Sequence, residues 1–152
     1  MDGVSIRLAA IDEADAIASV WWRSRSASVD VIPPAVHAEP EVRRWFSDVV
    51  LPDRAVWVAQ IAGTGTVGLL VLDEDRLDQL YVDPDQWGHG IGSALLDEAK
   101  HQRPHGFDLW TFTANLGARR FYERHGLTVI DWTDHDNEEA APALRYRWAG
   151  RQ

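Results

Sequence analysis

Several residue types are absent or scarce in this chain, and each absence excludes a class of chemistry. The 152 residues contain no cysteine, so neither disulfide bonds nor a thiolate nucleophile is available. No apolar run approaches the roughly 18 residues that span a bilayer. The segment from Met1 to Ser5 has neither the basic start nor the apolar centre of a secretion signal. We therefore expect a cytoplasmic protein.

Basic residues are in the minority. The chain carries 15 Lys and Arg against 24 Asp and Glu, a net charge of −9. This balance argues against nucleic acid or an anionic membrane as a partner, because both require a basic face. An acidic surface suits an amine-bearing partner, although solubility alone explains it equally well. With 45% hydrophobic residues, the chain is expected to form one domain over residues 1–152 with a core of its own.

The histidines predict no metal site. His101 and His105 are four residues apart, the spacing that places two ligands on one face of a helix. Pro104 lies between them and would break that helix.

Hydrophobic periodicity predicts the order of the elements. Short polar turns connect the second, third and fourth predicted strands, which indicates antiparallel neighbours. The whole order indicates an α/β (α+β) fold, with a mixed sheet and helices on its faces. Trp21, Trp110, Trp132 and Trp148 are expected in the core. The predicted strands are 5–9, 54–61, 67–72, 76–82, 107–112, 127–132 and 143–148, and the predicted helices are 12–25, 41–50, 91–102 and 115–126.

Three glycines, Gly88, Gly90 and Gly92, lie between a predicted strand and a predicted helix. Glycine lets the backbone come close to a ligand, and the free N–H groups of a helix N-terminus favour an anion such as phosphate. A tight turn without any ligand fits the glycines equally well.

Two well-known phosphate loops fit this stretch poorly. A Walker A loop requires Gly-Lys-Ser/Thr, which is absent here. The dinucleotide fingerprint is nearly met by Gly88, Gly90 and Ser93, and Asp108 follows Gly88 by 20 residues, where a ribose-binding acid is expected. That fold requires repeated βαβ units, whereas three hairpin-linked strands precede these glycines.

Two segments resemble the GNAT (Gcn5-related) N-acetyltransferases. The first, LDQLYVDPDQWGHGIGSALLDEAK, resembles the acetyl-CoA-binding signature, in which Val-x-Pro ends the fourth strand and Q/R-x-x-G-x-G/A opens a helix. Gly90-Ile91-Gly92 matches its end, whereas Trp87 stands at the Q/R position. The second, NLGARRFYERHGL, resembles the later N-x-x-A-x-x-F/L-Y-x-x-x-G-F helix, with Leu127 in place of Phe.

The resemblance implies a mixed, mostly antiparallel sheet of six to seven strands flanked by four helices. It also implies transfer of an acetyl group from acetyl-CoA, as co-substrate, to a primary amine of a small molecule or peptide. The mechanism would be direct attack in a ternary complex without a metal, and a homodimer is common for this fold. An acyl-CoA-binding sensor or interaction domain that has lost catalysis stays open as the alternative.

The resemblance also assigns roles to individual residues. The fourth strand would splay from the fifth near Val82, so that main-chain groups of Leu80, Tyr81 and Val82 bind the pantetheine arm and polarise the acetyl carbonyl. Asn115 would either cap its helix or bond the arm. Arg120 would either reach the CoA phosphates or lie on the solvent-exposed face of its helix. The pyrophosphate would take amides from Trp87, Gly88, His89, Gly90, Ile91, Gly92 and Ser93.

Tyr122 occupies the general-acid position of the family, where its hydroxyl would protonate the CoA thiolate. Asp78 is the nearest carboxylate for the general base, and a solvated or water-relaying role for it stays open. Period-two alternation puts Asp78 on one face of its strand with Leu80 and Val82, and puts Leu77, Gln79 and Tyr81 on the other. By analogy with the family, the acceptor would lie between the first two helices and the last hairpin. The polar and aromatic residues there are Trp21, Trp22, Arg23, Arg25, Asp134, His135, Asp136, Glu138 and Glu139.

Overall fold

In the part of the chain that the structure describes, seven strands form one mixed sheet in the order β1-β2-β3-β4-β5-β7-β6. The computed structural model describes residues 3–151. All neighbouring strands are antiparallel except β4 and β5, which are parallel. The mixed, mostly antiparallel sheet and the antiparallel neighbours are therefore confirmed. The strands are β1 (Val4–Leu8), β2 (Ala55–Ile61), β3 (Gly65–Asp73), β4 (Arg76–Val82), β5 (Phe107–Phe112), β6 (Thr128–Thr133) and β7 (Ala143–Trp148).

Among residues 3–151, four helical segments cover the sheet. On one face, α1 (Ala14–Ser26) packs beside a segment made of α2 (Glu39–Trp45), a π-helical turn (Phe46–Val50) and α3 (Leu51–Asp53). On the other face lie α4 (Ile91–Gln102) and α5 (Leu116–Arg124). The number of helical segments agrees with the expectation. Within residues 3–151, no helix has the length and apolar character needed to cross a membrane.

Two of the tryptophans expected in the core are exposed. Trp21 is buried and Trp148 packs against the core, whereas Trp110 is 43% exposed and Trp132 is 65% exposed. The physical reason is their place in the sheet. Trp132 lies on the edge strand β6, and the hydrophobic cluster beneath α1 and α2 includes no residue of β5, β6 or β7 in the described part of the chain.

The two parallel strands meet at one end and diverge at the other. The only residue pair that joins β4 to β5 in the described chain is Arg76 with Asp108, at the start of both strands. Toward Val82 the strands separate, which leaves the edge of β4 open where a regular sheet would be hydrogen-bonded.

Candidate active site

A cleft of about 390 Å³ occupies the space between the diverging strands, and we call it the β4–β5 cleft. Asp83 donates its amide hydrogen to Val67 of β3 at 2.8 Å. The alternation of an antiparallel ladder then turns the main-chain groups of Tyr81 toward β3 and those of Leu80 and Val82 toward β5. Tyr81 therefore borders the cleft through its side chain and not through its main-chain groups. The cleft is lined by β4 from Arg76 to Tyr81, by β5 from Leu109 to Phe112, by Ile32, Asn115, Ala118, Tyr122, Thr133, Asp136, Asn137, Glu139 and Ala143.

A β-bulge in β4 changes which side chains share a face. The register with β3 shifts between Val71, which pairs with Gln79, and Leu72, which pairs with Leu77, so that Asp78 has no partner. One extra residue reverses the alternation from that point. Leu77 therefore packs in the same hydrophobic cluster as Leu80 and Val82, and the prediction that it shares a face with Gln79 and Tyr81 is wrong.

The bulge brings Asp78 against two arginines. Its Oδ2 accepts a hydrogen bond from Arg54 Nη1 at 2.6 Å, and its Oδ1 lies 3.4 Å from Arg76 Nη2. Both carboxylate oxygens are thus engaged in ion pairs. Asp78 lines the β4–β5 cleft as a paired group.

The glycine loop presents a row of free amides. From Gly88 to Ser93, no amide hydrogen is donated to a carbonyl or side-chain oxygen within residues 3–151, and the first helical bond runs from Ala94 to Gly90 at 3.1 Å. Gly88 and Gly90 adopt φ of +81° and +79°, which residues with a Cβ rarely adopt. The α4 N-terminus thus offers hydrogen-bond donors and the positive end of the helix dipole to an anion.

The side chains of the glycine loop make different contacts. Trp87 donates its indole N–H to the Val82 carbonyl at 2.8 Å, which ties the loop back to β4. The exposed His89 has its Nδ1 3.1 Å from the Gln86 carbonyl oxygen. Ser93 Oγ lies 3.1 Å from His125 Nε2. Ile91 buries its side chain in the core, so only its amide faces the loop.

Tyr122 brings a phenol into the β4–β5 cleft. The residue is 8% exposed, and its ring packs against those of Phe121 and Tyr146. No hydrogen-bond partner for its hydroxyl exists among the described residues. Burial raises the pKa of Tyr122, and the nearby Tyr81 raises it further. The phenol therefore keeps its proton at neutral pH and is free to donate it to a ligand.

Asn115, the residue before α5, lines the cleft, whereas Arg120 of α5 does not. The Asn115 side-chain oxygen accepts the amide hydrogen of Ala118 at 3.2 Å and so caps the helix, as one of its two expected roles requires. Its side-chain amino group makes no hydrogen bond within residues 3–151 and borders the cleft. Arg120 is exposed.

A second cavity, of about 420 Å³, lies between the α1–α2 region and the β6–β7 loop, and we call it the α1–α2 cavity. It combines carboxylates with aromatic rings. It meets the β4–β5 cleft at Gln79 and Glu139, which line both. The other lining residues are Trp21, Arg25, Ala35, Val36, His37, Glu41, Val42, Trp45 and Glu138.

Only part of the expected acceptor region lines these cavities. Trp21, Arg25, Glu138 and Glu139 line the α1–α2 cavity and Asp136 lines the cleft, whereas Trp22, Arg23, Asp134 and His135 line neither. Arg23 instead binds the buried Asp83 at 2.6 Å, which anchors α1 to the end of β4.

Sequence reasoning missed His37, Glu41, Trp45 and Gln79. The spacing of His37 and Glu41 was the one local signal, because such residues share a helix face. The two ring nitrogens of His37 contact Glu41 and Glu138, and these contacts raise the pKa of His37, with Glu138 as the larger cause. Within residues 3–151, no cluster of three or more His, Asp or Glu side chains is arranged to hold a metal ion.

Comparison with known proteins gives concordant matches. A family model described as "Acetyltransferase (GNAT) domain" matches residues 52–128. The peptidyl-lysine N-acetyltransferase YjaB of Salmonella typhimurium is 31% identical, over 88% of this chain and 90% of its own. The protein of that name from Escherichia coli is 28% identical, over 97% and 98%. The solution structure of apo YjaB from Escherichia coli superposes with a TM-score of 0.77 at 26% identity, covering 97% of this chain and 98% of its own.

Proposed function

The chain belongs to the GNAT acetyltransferase family, and from this premise we propose that it transfers the acetyl group of acetyl-CoA to the ε-amine of a lysine in a protein or peptide. The observation that carries the proposal is the meeting of the two cavities at Gln79 and Glu139. A thioester in the β4–β5 cleft and an amine in the α1–α2 cavity would come together there. The chain would act as one domain. A homodimer stays a prediction, and light scattering of the purified protein is its check.

Acetyl-CoA fits the free donors of the β4–β5 cleft and the glycine loop. The amides from Gly88 to Ser93 have no partner within the described chain, and we assign them to the pyrophosphate. The main-chain groups of Leu80 and the amide of Val82 would bind the pantetheine arm, with the Leu80 amide polarising the acetyl carbonyl. The Val82 carbonyl already accepts the Trp87 indole N–H.

Trp87 replaces the polar side chain of the family pattern, and its own amide donates to the Pro84 carbonyl at 3.3 Å. The amides that we assign to the phosphates therefore begin at Gly88. The indole bond of Trp87 to Val82 would hold the loop at the correct distance from β4. Arg120 and the amino group of Asn115 would add side-chain contacts to the phosphates and the arm.

Tyr122 would act as the general acid. Its hydroxyl lies in the β4–β5 cleft with no partner among the described residues, and its raised pKa keeps it protonated. It would protonate the thiolate as the carbon–sulfur bond breaks. The chain has no cysteine that could carry the acetyl group as a thioester. The amine would therefore attack acetyl-CoA directly in a ternary complex.

The α1–α2 cavity suits an ammonium group on an apolar stem. Glu41, Glu138 and Glu139 supply negative charge, and the rings of Trp21 and Trp45 supply apolar and cation–π surface. A lysine side chain has this chemistry, and the YjaB relatives are named as peptidyl-lysine N-acetyltransferases.

The test is incubation of the protein with acetyl-CoA and a library of lysine peptides, with thiol release and peptide mass as readouts. We expect acetylation of lysine and no reaction with matched peptides whose lysine ε-amines are blocked. Binding of acetyl-CoA without transfer to any amine would instead favour the acyl-CoA-binding sensor.

A further inference from the structure

Glu139 lies where the two cavities meet. It shares that position with Gln79, whose side-chain oxygen accepts the indole N–H of Trp21 at 3.0 Å. An amide takes no proton near neutral pH. In the part of the chain that the structure describes, Glu139 is therefore the titratable side chain common to both cavities.

One oxygen of Glu139 is held by the protein and the other is free. Oε2 accepts a hydrogen bond from Arg25 Nη2 at 3.3 Å, and no described residue donates to Oε1. Arg25 is fixed in turn by the Pro33 carbonyl at 3.1 Å and by the face of Trp21 at 4.8 Å. The carboxylate is only 15% exposed. Arg25 thus holds Glu139 in place while Oε1 remains available to a ligand.

Asp78 is bound differently. Both of its oxygens face guanidinium groups, those of Arg54 and Arg76, and it borders only the β4–β5 cleft. A proton arriving on Asp78 would weaken two ion pairs. A proton arriving on Oε1 of Glu139 would weaken only one ion pair, and Oε2 would still accept the hydrogen bond from Arg25.

We infer that Glu139 is the catalytic carboxylate that takes the proton of the acceptor ammonium, and this inference rests on the proposed function. One proton passes from the ammonium to Oε1, and the freed nitrogen lone pair forms the carbon–nitrogen bond. The carbon–sulfur bond then breaks, and the departing thiolate takes a proton from Tyr122. The second proton lost by the nitrogen passes through solvent to the Tyr122 phenolate, and Glu139 returns its proton to solvent. The products are the amide, CoA thiol and one released proton.

Several titratable residues line the two cavities together with Glu139. Arg25 is the cation in contact with it. Asp136 on its own loop and Arg76 on β4 lie across the cleft. The other titratable residues that line the two cavities are His37, Glu41, Asp78, Tyr81, Tyr122 and Glu138.

The experiment compares Glu139→Gln with Asp78→Asn and with Asp134→Asn. Asp134 is an exposed acid of the same loop that lines neither cavity, so its variant loses the same charge. For Glu139→Gln we expect kcat/KM for a lysine peptide to fall about 10²–10⁴-fold at neutral pH. The acid limb of its pH profile should move up to the pKa of the free lysine amine, about 10.4, because the variant would react only with neutral amine. Acetyl-CoA affinity should not change.

The pH dependence separates a base from a structural group. The deficit of Glu139→Gln should narrow as the pH approaches about 10.4, where lysine is neutral without help. Glu139→Asp should keep the acid limb at a reduced rate, and it carries the test if Glu139→Gln fails to fold. Asp134→Asn should match the wild type.

Two results overturn the inference. If Glu139→Gln keeps the wild-type rate and acid limb while Asp78→Asn loses them, Asp78 is the base. A Glu139→Gln deficit that is equal at every pH also overturns it, because that is the behaviour of a structural residue. A wild type that acetylates no peptide overturns the proposed function itself, which is a distinguishable outcome.

Discussion

Replacing Tyr122 with Phe removes one oxygen atom and leaves the ring in place. The ring lies between Phe121 and Tyr146, at centroid distances of 5.3 and 6.0 Å, and Phe fills the same space. Because the hydroxyl has no partner among the described residues, the fold loses no hydrogen bond. We expect the free energy of unfolding to change by less than about 1 kcal/mol.

The catalytic effect of this substitution should be far larger. Loss of a positioned general acid costs about 10²–10⁴-fold in rate, which corresponds to about 2.7–5.4 kcal/mol of transition-state stabilisation at 1.36 kcal/mol per decade. The assay is thiol release at saturating acetyl-CoA and lysine peptide, with acetyl-CoA affinity measured by calorimetry. We expect kcat to fall by this amount and the affinity to stay the same.

Tyr146 provides the matched control. Its hydroxyl donates to Glu123 at 2.6 Å, so Tyr146→Phe loses a real hydrogen bond and should cost about 1 kcal/mol of stability. It should leave kcat unchanged. A Tyr122→Phe protein whose kcat stays within about threefold of the wild type would refute the general-acid assignment.

Three further predictions concern the glycine loop, the core, and the contact of His37 with Glu138 at the α1–α2 cavity. Gly90→Ala, at φ +79°, should strain the loop by about 1–2 kcal/mol and weaken acetyl-CoA binding up to about tenfold. Gly92→Ala should bind acetyl-CoA normally, because its Cβ would lie 3.5 Å from the nearest ring atom. Equal calorimetric affinities of the two variants would contradict this prediction. Gly68→Ala puts a Cβ 2.9 Å from a core leucine methyl and should lower the free energy of unfolding in urea by about 1–3 kcal/mol. An unchanged urea midpoint would contradict this prediction. Because Glu138 raises the pKa of His37, the stability from their contact should be present below the ordinary pKa of histidine, near 6.5, and lost as the pH rises through the raised value. The Tm difference between wild type and His37→Gln should thus vanish at alkaline pH. A difference that stays constant with pH would count against a stabilising contact of charged His37 with Glu138.

Features encoded within a few neighbouring residues could be predicted from the sequence. The bounds of β4, α4, β5 and β7 agree with the predicted ranges, because apolar periodicity and turn residues act locally. The glycine loop was recognisable for the same reason. Its amides depend on the backbone path of a few residues, and Gly88 and Gly90 dictate that path.

Features that depend on distant pairing could not be predicted in this way. The bulge at Asp78 arises from the register with β3, which alternation along β4 alone does not contain. The exposure of Trp110 and Trp132 depends on which strands the hydrophobic cluster beneath α1 and α2 does not reach. The contact of Glu139 with Arg25 joins residues 114 positions apart, and composition gave no means of pairing them.

The most direct test of the central claim follows a labelled acetyl group through a single turnover. The protein is mixed with a limiting amount of acetyl-CoA labelled in its acetyl carbon and with excess lysine peptide, and both peptide and protein are analysed by mass spectrometry. The account predicts label on the lysine ε-amine, at a much lower rate with Tyr122→Phe, and no labelled protein at any time. Label that first accumulates on the protein, or that never reaches the lysine, would contradict it.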